Sequence, residues 1–63
     1  MTMYALIGQH TLSLEDEFVN LGGVPNRCWT VDLNNVVLYR GFSLLEAEEM
    51  YDLVRKALEA ADH

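Results

Sequence analysis

The amino-acid sequence predicts a single α+β domain over residues 1–63. We expect a small antiparallel β-sheet of about three strands, in the element order β-α-β-β-α, with a long C-terminal helix packed on one face. Residues 27–40 are rich in β-branched side chains on both sides of Asn34-Asn35, and residues 44–61 repeat apolar side chains at helical spacing. A chain of 63 residues, 51% of them hydrophobic, suffices for one small core but not for a two-domain enzyme.

The N-terminal third predicts a strand followed by a short helix. Thr2 to Gly8 is aromatic and aliphatic and stops at a glycine, which is typical of a strand. Ser13 can cap a helix whose first turn holds negative side chains, as the helix dipole favours. These side chains are Glu15, Asp16 and Glu17. The apolar residues Leu14, Phe18 and Leu21 then share one face, and Gly22 ends the helix.

The segment from Arg27 to Arg40 predicts a β-hairpin. Asparagine tolerates the positive φ that a two-residue type I′ turn requires, so Asn34-Asn35 is the expected turn. Closing the hairpin there places three pairs on the core face: Trp29 with Arg40, Val31 with Leu38, and Leu33 with Val36. The opposite face receives Cys28, Thr30, Asp32, Val37 and Tyr39.

The C-terminal helix begins with a capping box, Ser43-Leu44-Leu45-Glu46. A helical wheel gathers one apolar side from Leu44, Ala47, Met50, Tyr51, Val54, Ala57, Leu58 and Ala61. A charged stripe runs beside it, formed by Glu48, Asp52, Arg55, Glu59 and Asp62. Leu45 and Leu53 fall outside the core side, so we expect them to be exposed and to form a contact patch.

Composition argues against catalysis, cofactors and direct nucleic-acid binding. Ten acidic residues against four basic ones give a net charge of −6, the wrong sign for holding phosphates. The lone Cys28 has no oriented histidine beside it, His10 being distant in sequence, and no phosphate loop or metal-ligand spacing occurs. We therefore expect no enzyme activity, no metal and no cofactor. The short apolar N-terminus lacks a positive region, so we expect a cytoplasmic protein that does not enter membranes.

The acidic side chains admit two principal interpretations. They can simply keep a small domain soluble, or they can dock on the basic surface of a partner protein. Under the second interpretation we expect the partner-binding residues to be Glu15, Asp16, Glu17, Leu45, Glu48, Glu49, Asp52, Leu53 and Glu59.

In size, charge and architecture the chain resembles the phage-encoded anti-CRISPR inhibitors and related nucleic-acid mimics, a resemblance carried by the acids of the two expected helices. It implies a binding inhibitor that occupies a basic nucleic-acid site in a bacterial defence complex, within the host cytoplasm. Residues 29–58, with Val37-Leu38-Tyr39-Arg40-Gly41-Phe42-Ser43 before the helix, are also similar to the DNA-binding arms of phage integrases. A third alternative is an interaction or adaptor subunit, or a homodimer.

Overall fold

A computed structural model of the protein describes residues 2–61. Four β-strands are followed by one helix: β1 (Met3–Ile7), β2 (His10–Leu21), β3 (Val24–Leu33), β4 (Val36–Gly41) and α1 (Leu44–Ala61). The strands form one antiparallel sheet in the order β1-β2-β3-β4, so each strand pairs only with its neighbours in sequence. Helix α1 packs on one side of this sheet, here called the helix face, and the other side is called the open face.

The structure confirms the α+β class and the long C-terminal helix on one face, but the predicted order β-α-β-β-α is wrong. The segment from Ser13 to Leu21 belongs to strand β2 and not to a helix, so the sheet has four strands. Ser13 lies between Tyr4 of β1 and Asp32 of β3 and caps nothing. Gly22, which was expected to end a helix, instead forms with Gly23 the turn from β2 into β3.

All three hairpins close through two-residue turns. Gly22 and Gly23 have φ angles of +58° and +85°, and Gly8 in the first turn has +62°. Asn34 and Asn35 have φ angles of 51° and 68°, as the predicted type I′ turn requires. The Asn34 side chain also accepts a hydrogen bond from the backbone amide of Thr11 at 2.9 Å, which ties this turn to β2.

The predicted register of the last hairpin is right at the turn and wrong beyond it. Leu33 pairs with Val36 as expected, but Val31 pairs with Tyr39 and Trp29 with Gly41. A β-bulge at Leu38 adds one residue to β4, which exchanges the faces of the residues that follow. Tyr39 consequently lies on the helix face and Arg40 on the open face, opposite to the prediction.

The core lies between the helix face and α1. Its fully buried members are Leu12, Leu14, Val31, Ala47 and Tyr51. The predicted apolar side of α1 therefore faces the sheet in the first turns of the helix. Partly buried members of that side are Leu44, Met50, Val54 and Leu58, of which Met50 and Val54 pack against the core. Ala57 and Ala61, near the end of the helix, are exposed.

Both ends of the connection from β4 to α1 are tied together. The Ser43 hydroxyl accepts a hydrogen bond from the Glu46 amide at 3.2 Å, which confirms Ser43 as the N-cap. The Tyr39 hydroxyl donates to the Ser43 carbonyl and to the Glu46 carboxylate. A side chain at Gly41 would meet this hydroxyl at 2.6 Å, so the glycine allows the tyrosine to pass beneath the helix start.

The β2–β3 hairpin extends well past the rest of the sheet. Strand β1 pairs with β2 only as far as Leu14, and β4 pairs with β3 only as far as Trp29. Residues 15–28, called the arm below, therefore lie beyond the paired ends of β1 and β4, and from Glu17 to Cys28 the described sheet is a two-stranded ribbon. The arm accounts for the elongated shape of the molecule, which measures 48 × 18 × 17 Å.

Candidate functional site

The four basic side chains of the protein are all engaged in ion pairs with its own acids. Two of these pairs cross the sheet. Arg27 lies 3.5 Å from Asp16 on the helix face, and Arg40 lies 2.8 Å from Glu17 on the open face. Because Arg40 is in β4 and Glu17 is in β2, their pair bridges across the intervening strand β3.

The other two basic residues pair with acids of α1. Arg55 lies 2.6 Å from Asp52 and 3.3 Å from Glu59, and Lys56 lies 3.2 Å from Asp52. The hydrogen bond from Arg55, and after it the one from Lys56, lower the pKa of the Asp52 carboxyl. Two of the acids predicted to contact a partner, Asp52 and Glu59, are thus partly neutralised by neighbouring cations.

Three of the predicted partner-binding acids have no cation of their own. Within residues 2–61, no ion pair involves Glu15, Glu48 or Glu49. Glu15 lies on the open face of the sheet, whereas Glu48 and Glu49 lie in the second turn of α1. Two of these three acids are therefore adjacent in sequence on the helix.

Glu48 and Glu49 line a groove between α1 and the start of β1, with a volume of about 570 Å³. We call it the acidic groove, and its lining residues are Met3, Glu48, Glu49, Tyr51, Asp52 and Arg55. Three carboxylates against one guanidinium leave its walls with a formal charge of −2. Such a groove suits a positively charged group that also contacts the apolar surface of Met3 and Tyr51.

The structure does not bring the predicted partner-binding residues onto one surface. Glu15, Asp16 and Glu17 alternate between the two faces of β2, because successive residues of a strand point to opposite sides. Glu15 and Glu17 lie on the open face, away from the acidic groove. The expectation that all three acids share a helical surface is therefore wrong.

A second, smaller pocket of about 230 Å³ lies on the open face. Its lining residues are Glu15, Asp16, Glu17, Thr30, Asp32, Val37 and Arg40. Within the described chain, the Asp32 Oδ1 atom is buried and has no hydrogen-bond partner. Arg40 spans the pocket, donating to the Thr30 hydroxyl at 3.5 Å while pairing with Glu17.

Leu45 and Leu53 lie on the outer side of α1 and are 68% and 66% exposed. Glu49 is four residues from each, so it lies one helical turn away from both on the same side. The two leucines therefore continue the surface next to the acidic groove. Glu59 lies farther along the helix, in its ion pair with Arg55.

No pattern in the sequence indicates that Met3 and Tyr51 line a groove. Tyr51 was expected only as a core residue. Met3 reaches the groove because β1 pairs with β2, and the sequence pattern alone does not specify this pairing. The alternation in β1 does carry information, since Tyr4 and Leu6 are exposed while Met3, Ala5 and Ile7 are partly buried.

The cysteine and histidine considered for catalysis are not brought together. Cys28 is buried and pairs in register with Glu17, whereas His10 starts the same strand β2 seven residues away, or about 23 Å along the strand. The His10 ring is instead hydrogen-bonded to the Asn34 amide at 3.0 Å. No group of three histidine, cysteine or acidic side chains among residues 2–61 is arranged to hold a metal ion.

Comparisons with protein-family models, with curated proteins and with solved structures found no match to this chain. Its site is therefore interpreted from its own geometry. The one helix in the described part of the chain is not long and apolar enough to cross a membrane.

Proposed function

We propose that the protein is a non-enzymatic binding protein whose acidic groove and adjoining helix surface occupy a basic site on a partner protein. One observation carries this proposal. Among residues 2–61, Glu48 and Glu49 line the groove and take part in no ion pair, because every lysine and arginine of the chain, Arg55 of the groove wall included, is paired with another acid. A partner that supplies the missing positive charge gains both attraction and faster association.

The partner site that fits this surface best is one that otherwise binds nucleic-acid phosphates, as the anti-CRISPR resemblance implies. Glu48, Asp52 and Glu59 follow one side of α1, with rises of about 6 Å and about 10 Å between them. Because Asp52 and Glu59 are partly neutralised by their ion pairs with Arg55 and Lys56, this row imitates at most a few phosphates of one strand and not a whole duplex. The proposed action is therefore local blockage of a basic site. The proposed place of action is the cytoplasm, the default for a chain whose single cysteine provides no disulfide framework.

Competition tests this function directly. The immobilised protein captures partners from a bacterial lysate, and each captured protein is purified and its binding measured with and without competing nucleic acid at constant ionic strength. We expect nucleic acid to displace the protein, and rising salt to weaken binding. Partners that bind equally well with nucleic acid present, and that are insensitive to salt, would show that the acidic surface only keeps the protein soluble.

A second candidate function is an interaction subunit or homodimer that uses the outer side of α1. The observation in its favour is the exposure of Leu45 and Leu53, whose burial would contribute about 3–5 kcal/mol before association costs. Leu45→Ser combined with Leu53→Ser should leave the melting temperature nearly unchanged, because neither side chain is in the core. Light scattering then separates the candidates: a wild-type dimer that becomes a monomer in the double variant supports this one.

A further inference from the structure

The outer edge of β1 lacks the features that usually protect an edge strand. Its sequence, Met-Tyr-Ala-Leu-Ile, contains no charge and no proline, and its pairing with β2 is free of bulges. The other edge strand, β4, carries both a bulge and Arg40. Because bulges and inserted charges discourage the addition of a further strand, β1 is the edge that remains open to one.

The backbone groups of this edge can be assigned from the turn that follows it. Residues that flank a two-residue hairpin turn form a hydrogen-bonded pair, here Ile7 with His10. Hydrogen-bonded pairs alternate along an antiparallel ladder, so Ala5 and Met3 also bond to β2. The N–H and C=O groups of Tyr4 and Leu6 therefore point outward, away from the sheet.

An added strand would meet different surroundings on its two sides. On the helix side it would lie along the acidic groove, since Met3 of β1 is part of the groove wall with Glu48 and Glu49. On the open face it would meet Tyr4 and Leu6, which are 62% and 68% exposed. Side chains of a strand alternate between its two faces, so the two surfaces select different residue types at alternating positions.

We propose that β1 binds an extended segment of a partner protein as a fifth strand of the sheet, a segment in which basic residues alternate with apolar ones. The basic side chains enter the acidic groove and the apolar ones cover Tyr4 and Leu6. Main-chain hydrogen bonds to Tyr4 and Leu6 supply affinity, and the two surfaces supply specificity. This inference rests on the proposed function, since it names the form in which the basic partner docks.

Charge decides against a second copy of this chain as the occupant. Two copies paired through β1 would bring their acidic grooves side by side, with Glu48 and Glu49 of each facing the other across the new pair of strands. Each chain also carries a net charge of −6. A basic segment turns the same carboxylates from a repulsive into an attractive contribution.

The test uses a capped synthetic peptide that alternates lysine with valine or leucine, titrated into the protein of residues 1–63. A peptide with glutamate in place of lysine serves as the charge control. We expect only the lysine peptide to bind, with amide chemical-shift changes centred on β1. The variant Leu6→Pro removes one outward N–H and leaves the bonds to β2 in place. It should weaken binding about tenfold relative to Leu6→Ala, which loses the side chain but keeps the N–H.

The outcomes separate this inference from the proposed function. If Leu6→Pro and Leu6→Ala bind the lysine peptide with equal affinity, strand addition is overturned. If Glu48→Lys with Glu49→Lys nevertheless abolishes binding of the peptide, the acidic groove is still the binding site, as the proposed function requires. A wild-type dimer that Leu6→Pro dissociates identifies a second copy as the occupant and also overturns the inference. Should Leu6→Pro fail to fold, a lysine peptide N-methylated at alternate residues removes the same hydrogen bonds from the other side and must bind more weakly.

Discussion

The two halves of the β2–β3 hairpin differ in what surrounds them. The inner half contributes Leu12, Leu14 and Val31, all fully buried beneath α1. The arm, residues 15–28, continues the same two strands beyond the paired ends of β1 and β4. One hairpin thus contains most of the sheet's contribution to the core at one end and a largely exposed ribbon at the other.

Local interactions hold the arm together. Arg27 lies over the Phe18 ring at 5.2 Å and over the Trp29 ring at 5.9 Å, and it also pairs with Asp16. Such cation–π contacts contribute about 0.5–1 kcal/mol each at exposed sites, and an ion pair whose arginine is half exposed is weakened by solvent screening. The backbone ladder thus extends farther than the core does, so stability is concentrated in the inner half.

Truncating the core should have the largest effect on stability. Leu14→Ala removes a fully buried side chain and is expected to destabilise the fold by about 3 kcal/mol, which a domain of this size tolerates poorly. Phe18→Ala in the arm is the matched control. Because its ring is 68% exposed, we expect a loss of about 1 kcal/mol or less. Urea titrations of the two variants measure the difference, and equal losses would show that the arm is as strongly packed as the core.

Reversing the unpaired charges of the acidic groove should have the next largest effect, and it acts on binding. Glu48→Lys with Glu49→Lys is expected to weaken binding of the basic partner or the lysine peptide by at least about tenfold while the fold persists. These positions are sharper probes than Asp52, whose reversal would also break its ion pairs with Arg55 and Lys56.

The arm supplies the control for this reversal. Glu15→Lys reverses another acid without a cation, on the open face and away from the groove. We expect its effect on binding to be several-fold smaller, reflecting only the change in net charge. Similar losses from both reversals in calorimetric titrations would mean that binding follows the overall charge of the protein and that the groove has no special role.

Altering the arm's turn should produce a smaller loss. Gly23→Ala places a methyl group in open space, but the residue must keep a φ of +85°. The cost is then conformational strain alone, about 1 kcal/mol. If the arm is independent of the core, the loss stays local: amide exchange should quicken in residues 15–28 and not in Leu12 or Val31. Faster exchange throughout the sheet would indicate that arm and core unfold as one unit.

Acidification should have the smallest effect, and Asp52 of the helix should account for part of it. The pKa of Asp52 is lowered from its ordinary value of 3.8 by its hydrogen bonds with Arg55 and Lys56. A carboxyl with a lowered folded-state pKa stabilises the protein above 3.8, and this contribution is lost as the pH falls through the folded value. Asp52→Asn should therefore lower the melting temperature slightly at neutral pH and shrink the drop below about pH 4. A drop as large as in wild type would assign acid sensitivity to other carboxyls.

The difference between core and arm also explains where sequence reasoning succeeded. In α1 the core selects the spacing of Ala47 and Tyr51, so the helical period is plain in the sequence. In the arm no core imposes a period of two. Leu14, Phe18 and Leu21 fall at helical spacing because exposed positions such as Phe18 and Leu21 are free to vary. This chance spacing is the reason why a helix was predicted where the structure has a strand.

The errors at the site have the same physical origin. The bulge at Leu38 places Tyr39 on the helix face, where its hydroxyl is hydrogen-bonded to Glu46 at the start of α1, and a hairpin turn alone does not specify this bulge. Glu17 lies near Arg40 only because β2, β3 and β4 are neighbours in the sheet, and no local sequence pattern indicates an ion pair between β2 and β4. The acids of α1 could be located on the helix from sequence, but their neutralisation and the groove beside β1 required the tertiary structure.

The three two-residue turns have a consequence for how the chain folds. Every strand pairs with the strand next to it in sequence, so each hairpin can form from its turn outward without closing a long loop. Topologies built from such local pairings fold quickly for their size. Helix α1 can pack on the helix face only after the four strands have assembled. Packing of α1 is therefore the last step of folding. Stopped-flow measurements should therefore show strand formation at the Gly22-Gly23 and Asn34-Asn35 turns preceding burial of Tyr51.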